Sequence, residues 1–157
     1  MTDANAPVSR RRFCAGACQA ASCATVATLF SACGGSSPTS PSGMTSTLAR
    51  LPGRFTGPGV QVTVTGSALG DVGGAVLVES TAGLFLIART SANTFSAIDA
   101  VCTHEGCTIT GAEGTTYVCP CHGSRYNRSG QVTGGPARAS LRQYAATFAN
   151  DVVTIAL

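Results

Sequence analysis

The chain has 157 residues, few charges (11% of the total), no tryptophan and 19 glycines, which fits one compact domain with tails. Every basic residue is arginine, and three of them, Arg10, Arg11 and Arg12, precede the first apolar run; from Cys33 onward seven arginines face six acids. No basic patch or stripe is left to bind nucleic acid, so that class of partner is excluded.

Residues 1–32 read as an export signal. Ser9-Arg10-Arg11-Arg12-Phe13 is a twin-arginine pattern, and an Ala-rich, uncharged stretch follows from Cys14 to Ala32. That stretch is long enough to span a bilayer but only weakly apolar, as twin-arginine signals are and retained membrane helices are not. This route carries already folded, cofactor-loaded proteins, so the expected location is the periplasmic side of the membrane. Leu29-Phe30-Ser31-Ala32-Cys33-Gly34-Gly35 has the form of a lipoprotein cleavage box and makes Cys33 a candidate lipidation site. A cleaved soluble protein and an uncleaved anchor are the alternatives. Cys14, Cys18 and Cys23 lie inside the signal and do not enter any ligand count. Residues 33–47 form a Ser/Gly/Pro linker, too polar to pack. Roughly fourteen residues of such chain span about 20 Å, enough for a domain to swing above a membrane surface.

Residues 48–157 read as all-β. Gln61-Val62-Thr63-Val64-Thr65 alternates with period two, as a half-buried strand does. The apolar runs 75–78 and 84–88 are split by Ser80-Thr81-Ala82-Gly83, a hairpin signal. A short strand is predicted at 95–98, one at 143–148, and one at 152–155, the last two joined by an Asn150-Asp151 hairpin. No helical period of useful length appears. The expected fold is a small antiparallel β-sandwich or barrel, with two ligand-bearing loops inserted.

Both histidines of the protein and four of its eight cysteines fall in two boxes, Cys102-Thr-His104-Glu-Gly-Cys107 and Cys119-Pro-Cys121-His122-Gly-Ser124. Each offers a thiol and an imidazole at close spacing, plus one further cysteine. Such soft and borderline donors on two facing loops suit a metal centre. A Cys–His hydrolase needs one thiol, one base and a group to orient it, not a matched pair of boxes.

These boxes resemble those of the Rieske [2Fe–2S] family, in particular its high-potential, disulfide-containing cytochrome bc-type branch. The resemblance covers roughly 48–157 and implies a Rieske-like iron–sulfur fold with one [2Fe–2S] cluster per chain. It implies that Cys102 and Cys119 hold one iron, that His104 and His122 hold the other through Nδ1, and that Cys107 and Cys121 form a disulfide. It also implies that Ser124 bonds to a bridging sulfide and Tyr126 to a ligand cysteine, and that Gly134-Gly135-Pro136-Ala137 covers the cluster from a third side. Fourteen residues separate His104 from Cys119, fewer than in many relatives, and a Gly111–Gly114 turn is expected to absorb the difference. A Rieske oxygenase is excluded, because its second iron needs two more histidines and this chain has none to spare.

The chemistry leads the same way. Two ferric ions, two sulfides and two thiolates sum to zero charge, whereas a four-thiolate cluster starts at two negative charges and gains a third on reduction. The neutral imidazoles therefore lift the potential into the range of about −150 to +300 mV. The expected function is one-electron transfer, as a periplasmic carrier or the small redox subunit of an oxidoreductase, rather than catalysis by the chain alone. Its expected partners are a redox protein, a quinol, and a membrane surface reached through an N-terminal lipid or anchor. Two departures from the bc-type pattern, Glu105 in place of an apolar residue and Arg138 in place of a proline, weigh against the alternative, the iron–sulfur subunit of a quinol–cytochrome c oxidoreductase. A structural zinc module on the same two thiols and two imidazoles is a third reading, which leaves the surplus cysteines without a role.

Overall fold

A computed structural model describes residues 45–157. The signal segment, Cys33 and most of the linker lie outside the described residues. Among the described residues fourteen strands form three sheets. They are β1 (Ser46–Thr47), β2 (Ala49–Pro52), β3 (Arg54–Phe55), β4 (Gly59–Thr63), β5 (Ala75–Ser80), β6 (Gly83–Arg89), β7 (Phe95–Asp99), β8 (Gly111–Glu113), β9 (Thr116–Val118), β10 (Arg125–Tyr126), β11 (Val132–Gly134), β12 (Gln143–Tyr144), β13 (Ala146–Ala149) and β14 (Val152–Ala156). Among the described residues the only helical turn is a 3₁₀ turn at Ala68–Gly70, capped by the Ser67 hydroxyl, and no helix is long and apolar enough to cross a membrane.

The middle sheet, ordered β12-β7-β6-β5-β2, has apolar residues on both faces. Val76 and Val78 of β5, with Phe85 and Ile87 of β6, pack toward Val60, Val62, Val153 and Ile155 of the outer sheet β13-β14-β4-β3. The alternate residues Leu77, Leu86, Ala88 and Ile98 pack the other way, against Ile109, Tyr117, Tyr126, Cys102 and Cys119. Burial on both faces is why these strands read as continuous apolar runs and not as an alternation. The third sheet, β1-β8-β9-β10-β11, carries the two boxes at its loops.

Both predicted hairpins form. Ser80 pairs with Gly83 across the two-residue loop Thr81-Ala82. Asn150 and Asp151 take φ of 48° and 63°, the left-handed pair that a two-residue hairpin turn requires, and the Asp151 carboxylate accepts from the Thr65 N–H at 3.1 Å.

Three expectations are corrected. The predicted strand 143–148 is two strands in two sheets: β12 pairs with β7, and β13 pairs with β14. The crossing is fixed by Tyr144, edge-on to Phe85 at 5.1 Å, and Phe148, 5.0 Å from Phe95. Gly111–Glu113 is a strand, and the turn lies after it at Gly114, where φ is +54°. Ser46 and Thr47, read as linker, pair with Ala112 and Gly111. Glycine at 111 permits this, since a Cβ there would sit 2.8 Å from the Thr45 methyl carbon.

Candidate metal centre

The two boxes fold into the same turn. In the first, the Cys102 N–H donates to the Cys107 carbonyl at 2.8 Å and the Gly106 N–H donates back to the Cys102 carbonyl at 2.9 Å. In the second, the Cys119 N–H donates to the Ser124 carbonyl at 2.8 Å and the Gly123 N–H to the Cys119 carbonyl at 3.0 Å. Each turn closes on a glycine with positive φ, +75° at Gly106 and +70° at Gly123, a conformation that costs a side-chain-bearing residue about 1 kcal/mol or more. The glycines thus set the geometry that brings the two loops together.

Cys107 and Cys121 form a disulfide, Cα to Cα 6.6 Å, that ties one turn to the other. The Cys119 sulfur lies within 4.8 Å of both disulfide sulfurs, but those two are spent, and among the described residues Cys102 and Cys119 are the free thiols, each buried. The Tyr126 hydroxyl lies 3.2 Å from the Cys102 sulfur. Burial opposes ionisation of the Cys102 thiol, but Tyr126, the His104 backbone N–H, Cys119 and Ser124 favour its thiolate and hold it below the ordinary value of 9.0. Burial pushes the Cys119 thiol above that value, the neighbouring Cys102 adds to this, and the backbone N–H groups of Cys121 and His122 oppose it. Burial, then the bond to Cys102, also raises the Tyr126 phenol.

The imidazoles of His104 and His122 meet edge to face, ring centres 5.0 Å apart. His104 turns a buried Nδ1 inward with no hydrogen-bond partner, and its Nε2 lies 4.0 Å from a carboxylate oxygen of Glu105. The other Glu105 oxygen lies 3.5 Å from His122 Nδ1. Bonding a metal through Nδ1 therefore suits His104 as it stands, and takes a half-turn of the His122 ring about Cβ–Cγ, which its 49% exposure leaves free.

A third loop completes the site. The Ala137 N–H donates to the fully buried Ser124 hydroxyl at 3.2 Å. Gly135 passes so close to the second turn that a Cβ would lie 2.6 Å from the Gly123 carbonyl oxygen. Thr103 escaped sequence reasoning. Its hydroxyl lies 3.0 Å from the Tyr126 hydroxyl and donates to the Ala139 carbonyl at 2.6 Å, binding the first turn to this loop. Its place between Cys102 and His104 was the available signal.

The donor set is suited to an iron–sulfur centre: two buried thiols without a disulfide, a buried imidazole nitrogen without a partner, and backbone N–H groups aimed at both sulfurs. Fold and site together define a small all-β iron–sulfur protein that transfers single electrons. The chain belongs to the Rieske [2Fe-2S] domain family, whose model matches residues 59–145, and it carries the [2Fe–2S] cluster of that family. Among curated relatives it is similar to the cytochrome b6-f complex iron-sulfur subunit of Chlorobaculum thiosulfatiphilum, 39% identical over 61 residues, 38% of this chain and 34% of that one. It is also similar to the cytochrome b6-f complex iron-sulfur subunit 2 of a Synechocystis strain, 49% identical over 55 residues, 34% of this chain and 31% of that one. The chain thus matches about a third of the length of these relatives. Among solved structures it is similar to the cyanobacterial plasma membrane Rieske protein of Synechocystis PCC 6803, with a TM-score of 0.54 and 26% identity, covering 62% of this chain and 99% of that one. Family membership sets aside the zinc reading.

Proposed function

We propose that Cys102 and Cys119 hold one iron of the cluster and His104 and His122 the other, and that the chain is a tethered one-electron carrier on the periplasmic side of the membrane. The observation that carries the ligand assignment is the buried, unpartnered Nδ1 of His104, on a turn that matches the one holding the second free thiol. The bound cluster supplies a one-electron change at a potential lifted by its two neutral ligands. The protein supplies the rest. Tyr126 and the backbone N–H groups favour the electron-rich sulfurs. The disulfide and the 135–139 loop shield the thiol side from water, while His122 and Glu105 stay open to a partner.

The twin-arginine pattern and Cys33 support export and lipid attachment, with the linker as a flexible tether. The partner is a redox protein that receives or delivers the electron at the histidine edge. A second reading, the iron–sulfur subunit of a quinol-oxidising cytochrome complex, is supported by the b6-f subunits among the relatives. Against it stands Glu105, a 60% exposed carboxylate at the tip, which is costly to bury in an apolar quinol site.

Redox titration of the purified protein, followed by EPR across pH, tests the first reading. A rhombic signal on reduction and a potential that falls with alkaline pH are expected. A colourless, EPR-silent protein would end the assignment. Membrane fractionation of wild type and Cys33→Ala tests the tether, the variant moving to the soluble periplasm. Co-purification with a cytochrome b would favour the second reading.

A further inference from the structure

The cluster-side sheet sorts its residues strictly by face. Ser124 and Tyr126 point inward, fully buried, to the thiol side. Arg125, between them, points to the outer face with Val118, its partner on β9, with Gly111, the partner of Val118 on β8, and with Glu113 two residues along β8. On that face both terminal nitrogens of the Arg125 guanidinium donate to one Glu113 oxygen at 2.7 Å. The other Glu113 oxygen accepts from the Thr45 hydroxyl at 2.5 Å, at the point where the chain enters the domain.

Arg125 also meets the third loop. Its side-chain stem packs on Gly134, where a Cβ would lie 3.4 Å from Arg125 Cδ, and Gly134 is the residue paired with Arg125 across β10 and β11. A register shift falls between Arg125 and Tyr126 on that edge, a device that bends a strand and re-aims its side chains. A two-residue strand with an irregular edge has few ladder bonds of its own to keep Ser124 and Tyr126 aimed.

We propose that the Glu113–Arg125 pair is a positioning clamp for the cluster: by fixing β10 from its outer face it holds the Tyr126 and Ser124 hydroxyls on the cluster's sulfurs, and so keeps the potential high. Neither residue touches the thiols or imidazoles. The pair is partly exposed, 40% and 20%, so its worth lies in two donors converging on one carboxylate oxygen, with the other oxygen held by Thr45, and not in Coulomb energy. This inference rests on the ligand assignment proposed above.

Charge and positioning predict opposite signs, which makes the test sharp. Glu113→Gln removes a negative charge, and by electrostatics alone the potential would rise. The clamp predicts that it falls, with iron lost to a chelator several-fold faster than from wild type. Arg125→Lys keeps the charge but loses the fork; electrostatics predicts no change and the clamp predicts a fall. Introduced into Tyr126→Phe, Glu113→Gln should lose the part of its effect that passes through the Tyr126 hydroxyl and keep the part that passes through Ser124. A rise or no change in Glu113→Gln overturns the clamp. If that variant does not fold, Arg125→Lys decides by the same two readings. The two failures are distinguishable: a wrong ligand assignment leaves the wild type without a reducible EPR signal, whereas a wrong clamp leaves the wild type titrating normally and only the variants unshifted.

Discussion

The two cysteine turns have the same backbone and different surroundings. Both begin at a cysteine whose N–H reaches five residues on, and both close on a left-handed glycine. Yet the first has the Tyr126 hydroxyl on its sulfur and a thiol held low, while the second has only backbone N–H groups and a thiol pushed up. The histidine also differs, two residues after the cysteine and mostly covered in the first turn, three after it and half exposed in the second. The boxes therefore fix where the donors stand, and residues outside them decide how each sulfur carries charge.

The largest effect should come from cutting the tie that makes the turns a pair. Replacing Cys107 and Cys121 together by serine opens a loop of about fifteen residues and is expected to cost roughly 3 kcal/mol on the chain-entropy estimate. Thermal unfolding should shift down by several degrees and iron content should fall. An unchanged transition would mean that the 135–139 loop holds the turns together unaided. Next in size is Tyr126→Phe, which removes the side-chain hydroxyl at the Cys102 sulfur. A bond worth about 1 kcal/mol more in the reduced state lowers the potential by roughly 40 mV when lost, at about 59 mV per tenfold for one electron. A shift no larger than that of a distant surface change would remove the asymmetry between the turns.

Much of this was legible in the sequence. The resemblance of the boxes to the Rieske pattern put the Cys107–Cys121 disulfide and the contact of Tyr126 with the Cys102 sulfur within reach. The base strands 75–80 and 83–89 announce themselves through apolar runs, and Asn150-Asp151 through its left-handed preference. What escaped were contacts made by residues with no periodic signal. Strands of two or three residues, such as β1, β8 and β10, take their conformation from the neighbours they pair with rather than from propensity. The split at Ala145 is set by where Phe85 and Phe95 lie, which is not information held in 143–148. Thr103, Glu113 and Arg125 look like ordinary polar surface residues until the sheet brings them across from one another.

The smallest effect separates the two thiols directly. In iron-free protein with the disulfide intact, Cys102 lies below 9.0 and Cys119 above it. A depressed group contributes stability that is present above its unfolded value and lost as pH falls through the folded one. A raised group contributes stability that is present below its unfolded value and lost as pH rises through the folded one. The stability of the iron-free protein should therefore pass through a maximum near pH 9, falling below it as Cys102 protonates and above it as Cys119 ionises. Reactivity separates the two directly, because alkylation reads each thiolate by itself. With both thiols similarly buried, a small alkylating agent should label Cys102 at lower pH than Cys119, as peptide mass spectrometry would resolve. Tyr126→Phe should narrow that gap, since it removes the first of the bonds that favour the Cys102 thiolate. If Cys119 reacts first, the second turn's backbone N–H groups outweigh the tyrosine, and the asymmetry between the turns runs the other way.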